Sequence, residues 1–238
     1  MYSFDSRVRY SECDDQGRLG IVPMINYLQD CSTFHCEDRG EGIRELGRQG
    51  FGWILAAWQI EVRRLPEYGE NITISTWCYE MKRLHAMRNF QITDEHGEAL
   101  VRADSQWFIY NLNENKVARI PDTQDYFLED TPRLDMPKLA RKLKCEGEGR
   151  ECSPILVSAQ HLDTNQHVNN AQYVLMAIDA LSELGVDAPL ARLSVQYRSM
   201  ARLGDTVAPR VYGCEGGHDV ELNDTEGNTY AVVRFQER

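Results

Sequence analysis

No stretch of this 238-residue sequence approaches the roughly 20 consecutive apolar residues of a transmembrane helix, so no membrane insertion is expected. The N-terminus, Met1-Tyr2-Ser3-Phe4-Asp5, lacks both a basic n-region and an apolar h-region, so no signal peptide is expected either. The seven cysteines (13, 31, 36, 78, 145, 152 and 214) contain no Cys-x-x-Cys pair, which argues against zinc and dithiol chemistry. Their odd number and scatter fit reduced thiols in a cytoplasmic protein. Acidic residues outnumber basic ones, 37 to 26. A net charge of −11 opposes general nucleic-acid binding, which needs a basic footprint. The glycines of Arg39-Gly40-Glu41-Gly42-Ile43-Arg44-Glu45-Leu46-Gly47 follow no strand and fit no dinucleotide fingerprint. His35, Cys36, Glu37 and Asp38 lie on one helix pattern but point in different directions, so they make no metal site. No cofactor and no metal are expected.

One local exception to the acidic balance exists. Pro137-Lys138-Leu139-Ala140-Arg141-Lys142-Leu143-Lys144 carries four positive charges and no acid. In a helical conformation Lys138, Arg141 and Lys142 would share a face; the plain alternative is a solvated connector.

What the sequence does have is a repeat. Cys13-Asp14-Asp15-Gln16-Gly17-Arg18-Leu19 resembles Leu162-Asp163-Thr164-Asn165-Gln166-His167-Val168, with Asp14 and Asp163 offset by 149. Asn26-Tyr27-Leu28 matches Gln172-Tyr173-Val174 at 146, Tyr68-Gly69-Glu70 matches Leu203-Gly204-Asp205 at 135, and Asp94-Glu95-His96-Gly97 matches Asp224-Thr225-Glu226-Gly227 at 130. Four matches in constant order point to a duplicated unit whose first copy carries longer insertions.

Each copy shows the same succession of patterns. A short strand (Ser6 to Tyr10, Ile155 to Ser158) leads through a polar loop to a helix. The first helix starts near Pro23 and carries a stripe of Met24, Tyr27, Leu28, Cys31, Phe34 and His35. The second carries Val174, Leu175, Ile178, Leu181 and Leu184, widened by Met176, Ala177 and Ala180, with Gly185 as its stop. Strand runs follow: Trp53 to Arg63, Asn71 to Tyr79, Arg88 to Thr93 and Ala99 to Tyr110, then Leu193 to Tyr197, Thr206 to Tyr212, Asp219 to Asn223 and Thr229 to Phe235. Asp94–Glu98 and Asn223–Asn228 read as hairpin turns. Tryptophans 53, 58, 77 and 107 alternate with apolar residues in these strands and are expected in the core. One long helix followed by an antiparallel meander is an α+β pattern, a sheet wrapped round a helix. The expected domains are 1–132, a connector 133–150, and 151–238.

The chemistry concentrates in Asp163, Asn165 and His167, at alternate positions just before an apolar helix pattern. In an extended loop these side chains point to one side. A helix start offers N–H groups and a positive dipole end, here near Val168, Asn169 and Asn170. A positioned base beside a home for an oxyanion is what acyl transfer needs. The plain alternative is a structural histidine among loop and cap residues, since Asp and Asn bond their own backbone readily. Cys152 and Cys13 are rival nucleophiles that require a histidine close in space.

With these residues in view, the chain resembles the acyl-acyl-carrier-protein (acyl-ACP) thioesterases of plant plastids and bacteria. The strongest part is Leu162-Asp163-Thr164-Asn165-Gln166-His167-Val168-Asn169-Asn170, supported by Trp53 through Gly69, Ser75-Thr76-Trp77 and Lys116-Val117-Ala118-Arg119-Ile120-Pro121. The resemblance implies a tandem double hotdog, with the first half shaping the acyl pocket and the second doing the chemistry. It implies hydrolysis of fatty acyl-ACP to free fatty acid, with Asp163, Asn165 and His167 in the catalytic positions and acyl carrier protein as partner. An acidic carrier calls for a basic face. Lys138, Arg141, Lys142 and Lys144 are the candidates, and Arg63, Arg64, Lys82 and Arg83 their rivals. Association into a homodimer stays open, because two units in one chain already satisfy the usual hotdog pairing. The plant members carry a Glu-Cys pair where this chain has Met200-Ala201, so a cysteine nucleophile at that place is excluded. A hotdog acyl-CoA thioesterase and a non-catalytic fatty-acyl binding protein are the alternatives.

Overall fold

β-branched and aromatic residues recur at alternate positions through both halves, and long strands form there. The structure is a computed structural model and describes residues 1–121, 124 and 128–237. The chain divides into two compact units, Met1–Leu139 and Ala140–Arg238.

In the first unit, strands β1 (Tyr2–Arg7), β2 (Phe51–Val62), β3 (Asn71–Met81), β4 (Ala86–Asp94), β5 (Ala99–Asn111) and β6 (Lys116–Ala118) form an antiparallel sheet. Its order is β1-β3-β4-β5-β2, with β6 on β5. Helix α1 (Ile21–Asp38) lies against β1, β3 and β4, and the short α2 (Ile43–Arg48) against β2. Met24, Ile25, Leu28 and Cys31 of α1 are fully buried, as are Trp58, Ile60, Ile74, Phe90 and Ile92 of the sheet. Each buried aliphatic side chain contributes about 1.5–3 kcal/mol by leaving water.

The second unit repeats the plan on a smaller scale. Its strands are β7 (Arg150–Glu151), β8 (Ile155–Leu156), β9 (Arg192–Tyr197), β10 (Thr206–Cys214), β11 (Gly217–Asn223) and β12 (Thr229–Gln236). They run β9-β12-β11-β10-β7, with β8 also on β10. Helix α3 (Asn170–Glu183) packs on β10, β11 and β12. Its stop is the expected one. Gly185 adopts φ +65°, and Val186 N–H bonds the Leu181 carbonyl while Gly185 N–H bonds that of Ser182. The fold is therefore α+β, two hotdog units in tandem. Among the described residues no helix is long and apolar enough to cross a membrane.

The eight long strands fall within three residues of their expected ends. Four local expectations are corrected. The first strand is Tyr2–Arg7, not Ser6 to Tyr10; Tyr10 begins a 3-10 turn. Phe34 (44% exposed) and Leu175 (37% exposed) leave their expected helical stripes. The buried arc of α3 instead runs through Ala171, Tyr173, Val174, Met176, Ala177, Ala180 and Leu181, because small residues let the sheet approach closely. Finally, the basic run is extended and not a helix, so Lys138, Arg141 and Lys142 do not share a helical face. Side chains hold its backbone open. Gln59 and Arg133 donate to the Pro137 carbonyl, Gln196 bonds the Ala140 carbonyl and the Leu143 N–H, and Arg198 donates to the Leu143 carbonyl.

A buried polar cluster gives the first unit a pH response. The Arg88 guanidinium bonds His35 Nδ1 at 3.2 Å and Thr76 Oγ1 at 3.1 Å, and Tyr2 stacks on the imidazole. Burial first, then the charge of Arg88, pushes His35 down to about 4. Between about pH 6.5 and 4 the unfolded chain thus binds a proton that the folded chain refuses, so stability falls as pH falls through that window. We predict that urea denaturation at pH 5 and pH 7.5 shows a smaller pH difference for His35→Gln than for wild type, by about 1–2 kcal/mol. Equal differences would remove His35 as the cause.

Candidate active site

Asp163, Asn165 and His167 sit in a tight five-residue turn, not in the extended loop expected. Asp163 N–H donates to the His167 carbonyl at 2.8 Å and Gln166 N–H to the Asp163 carbonyl at 3.1 Å. Asp163 Oδ1 closes the turn by accepting the N–H groups of Asn165 (2.8 Å) and His167 (3.3 Å). An aspartate at the head of a turn favours this geometry because its carboxylate mimics a backbone acceptor. The carboxylate is thereby oriented, with Oδ2 making no hydrogen bond among the described residues. Asn165 is exposed, Asp163 and His167 are half-buried, and the backbones of the last two pair across the turn.

The turn has a twin. Asp14 Oδ1 accepts the N–H groups of Gln16 (2.9 Å) and Arg18 (2.8 Å), and Asp14 N–H bonds the Arg18 carbonyl at 2.7 Å. The correspondence extends outward. Leu19 N–H donates to Pro66 O as Val168 N–H donates to Ala201 O, and Gly20 N–H to Glu12 O as Asn169 N–H to His161 O. The duplication read in the sequence is therefore repeated hydrogen bond by hydrogen bond. Beyond the aspartate, the side chains are not repeated. Arg18, in the place of His167, reaches the Asp14 carboxylate at 3.2 Å. Burial alone would raise the Asp14 carboxyl, but the Arg18 and Gln16 N–H groups and the Arg18 guanidinium outweigh it and hold it low. That contact also shows that side chains at the first and fifth positions of the turn can meet.

The oxyanion assignment needs correction. Val168 N–H is taken by the Ala201 carbonyl at 2.9 Å and Asn169 N–H by the His161 carbonyl at 2.8 Å, so neither can hold a substrate oxygen. Asn169 is instead the N-cap of α3, its Oδ1 accepting from Ala171 N–H at 2.9 Å. Asn170 opens the helix, and its carbonyl accepts from Tyr197 Oη at 3.0 Å. What the helix start offers the turn is chiefly its dipole field.

Sequence reasoning passed over two tyrosines. Tyr173 Oη accepts the Ala201 N–H at 2.8 Å, and its ring meets Tyr197 edge-on at 5.8 Å. Burial pushes the Tyr173 phenol up to about 12, so it stays neutral. The matched Tyr27 and Tyr173 were the available signal. Ala201 itself is fully buried and tied at both backbone groups, to Val168 and Tyr173, while Met200 is exposed. Ala201 therefore bonds the residue that directly follows the turn. The rival thiols are poorly activated: burial pushes both Cys13 and Cys152 above their ordinary range, where little thiolate forms.

Comparison with known proteins decides the family. The model of the acyl-ACP thioesterase N-terminal domain matches residues 1–126, and that of the C-terminal domain matches 147–236. The chain belongs to the acyl-ACP thioesterase family. It is 28% identical over 213 residues to a chloroplastic acyl-[acyl-carrier-protein] hydrolase of Cuphea viscosissima, covering 82% of this chain and 50% of that protein. It is 28% identical over 223 residues to the chloroplastic oleoyl-acyl carrier protein thioesterase 1 of Arabidopsis thaliana, covering 84% and 60%. The chain thus spans 50–60% of the length of these curated relatives. Among solved structures, an acyl-ACP thioesterase from Bacteroides thetaiotaomicron superposes with a TM-score of 0.85 at 24% identity, covering 98% of this chain and 96% of that one. The 12:0-ACP thioesterase from Umbellularia californica gives 0.80 at 20%, covering 99% and 97%. These two likenesses establish the fold.

One residue of the turn is strained for its type. Gln166 adopts φ +63°, where the twin has Gly17 at +73°. A left-handed non-glycine residue costs about 1 kcal/mol. Gln166→Gly is expected to raise stability by about that amount in urea denaturation. A loss of stability would show that the Gln166 side chain makes a contact worth more than the strain.

Proposed function

We propose that this chain hydrolyses the thioester of fatty acyl-ACP, releasing free fatty acid and terminating fatty acid synthesis. The observation that carries the reading is a family match over both halves, with Asp163, Asn165 and His167 held in one turn at the start of α3. The relatives' names, acyl-ACP hydrolase and palmitoyl- and oleoyl-ACP thioesterase, support the substrate class. They differ in acyl chain, so they assign none here.

In this mechanism a water attacks the thioester carbonyl and the C–S bond breaks to give carboxylate and thiol. Asp163, aimed by its two N–H bonds, takes a proton from the water. Asn165 orients the water or the carbonyl, and His167 returns a proton to the departing thiolate. Asn170 and the positive end of α3 favour the oxyanion. The first unit shapes the acyl pocket, and its Arg18-neutralised turn takes no part. We place the protein in the cytoplasm with its carrier; sedimentation would read whether it is a homodimer.

Met200 and Ala201 favour one further reading, a fatty-acyl binding protein without turnover. An acyl-CoA thioesterase would use the same turn. Fatty acid release from a ladder of acyl-ACP thioesters, with CoA thioesters alongside, separates the three. We expect preference for the carrier-linked esters and a rate lower by about 100- to 1,000-fold in Asp163→Ala. Tight acyl binding without release would establish the binding protein instead.

Lys138, Arg141, Lys142 and Lys144 are exposed and make no ion pair among the described residues, whereas their rivals Arg64 and Lys82 pair with Glu70 and Glu80. The net charge of −11 opposes long-range steering of an acidic carrier, so the connector charges act as a local basic patch at close range. Lys142→Glu with Lys144→Glu is expected to raise KM for acyl-ACP at low ionic strength, an effect that added salt erases. An unchanged KM would remove the connector from docking.

A further inference from the structure

The loop from Arg198 to Gly204 backs the catalytic turn through the bond from Val168 N–H to Ala201 O at 2.9 Å. Its far end is fixed as firmly. Gly204 N–H donates to Val157 O at 3.0 Å, Val157 N–H to Asp205 O at 2.9 Å, and Arg202 N–H to Asp205 Oδ2 at 2.8 Å. On this frame three large apolar side chains face water: Met200 (43% exposed), Leu203 (62%) and, on the adjoining β8, Leu156 (66%). Preceding Leu203 in the loop is Arg202, exposed, its guanidinium making no hydrogen bond or ion pair among the described residues. Apolar anchors around a cation, beside a candidate active site, are the composition of a docking surface.

The duplication supplies an internal control. The twin loop of the first unit is built on the same bonds: Leu19 N–H to Pro66 O at 2.8 Å, Gly69 N–H to Val8 O at 2.9 Å, Val8 N–H to Glu70 O at 3.0 Å and Glu67 N–H to Glu70 Oε2 at 2.9 Å. In that equivalent frame Glu67 holds the place of Arg202, and Arg7 that of Leu156. Tyr68 holds the place of Leu203 and rests on Tyr10, ring to ring at 6.2 Å. The backbone is shared and both frames expose apolar side chains (Tyr68 is 63% exposed), but the charge at the equivalent position is reversed, Glu67 in the first unit and Arg202 beside the Asp–Asn–His turn. A basic residue required by the fold at this position would have appeared in both copies.

We infer that Arg202, Leu203, Met200 and Leu156 form the contact surface for the protein that delivers the thioester, a partner acidic around an apolar centre. This rests on the reading that the substrate arrives on a carrier protein. The leucines and Met200 bury against the partner, and Arg202 pairs with one of its carboxylates. The connector lysines act earlier, on encounter.

The test compares kcat/KM for one acyl chain carried on acyl carrier protein and on free pantetheine. Arg202→Glu and Leu203→Asp should each lower the carrier-to-pantetheine ratio by about tenfold. The Leu203→Asp effect should persist in high salt. Turnover of the pantetheine ester reports that each variant is folded. Glu67→Lys, at the twin position, should leave the ratio where it is. A ratio unmoved by Arg202→Glu and Leu203→Asp, or lowered equally by Glu67→Lys, overturns the inference. Wild-type protein that hydrolyses neither ester refutes the proposed function itself, and the docking surface with it, before any variant is compared.

Discussion

A carboxylate that closes a five-residue turn underlies both the fold and the candidate site. Asp14, Asp94, Asp163 and Asp224 each accept two backbone N–H groups with one oxygen, and each N–H donates back across the turn. At Asp94 and Asp224 the device joins strands of the meander. At Asp14 and Asp163 it delivers the chain into a helix. A bond from a charged acceptor is stronger than one between neutral groups, so these turns fix where each element begins. The same bonds that hold the second turn also aim its carboxylate, so in the proposed mechanism one residue serves structure and chemistry together.

Duplication then allowed the copies to diverge without rebuilding the frame. The first copy has a guanidinium against its aspartate, glycine at the left-handed position and a longer sheet. The second keeps an imidazole and an amide, tolerates a left-handed glutamine and shows an uncovered apolar lip. Around the Asp163 turn a left-handed Gln166 and the exposed Met200, Leu203 and Leu156 occur together, and each of these features lowers stability.

The architecture was legible because period-two alternation and a repeated motif survive in sequence as pattern. Asp94-Glu95-His96-Gly97 and Asp224-Thr225-Glu226-Gly227 announced their turns through side chains that act locally. Legibility ended where a distant partner decides. The Val168 and Asn169 amides are consumed by Ala201 and His161, and no local rule at the helix start reveals it. The basic run has helical spacing, yet glutamine and arginine side chains from elsewhere hold it extended. Phe34 and Leu175 obey the helical period, but the period does not say how wide an arc the sheet covers. Asp163, Asn165 and His167 were singled out by their residue types. That they form a tight turn, with Ala201 beside it, needed the structure.

The most direct test of this account is the turnover of Asp163→Asn and Asp14→Asn measured side by side on an acyl-ACP substrate. Asparagine keeps an oxygen for the turn and removes the charge, so both variants retain the frame. The account predicts a loss of about 100- to 1,000-fold for Asp163→Asn and a change of no more than about twofold for Asp14→Asn. Equal losses, or full activity in both, would contradict the claim that the twin turns share a scaffold and only the second does chemistry.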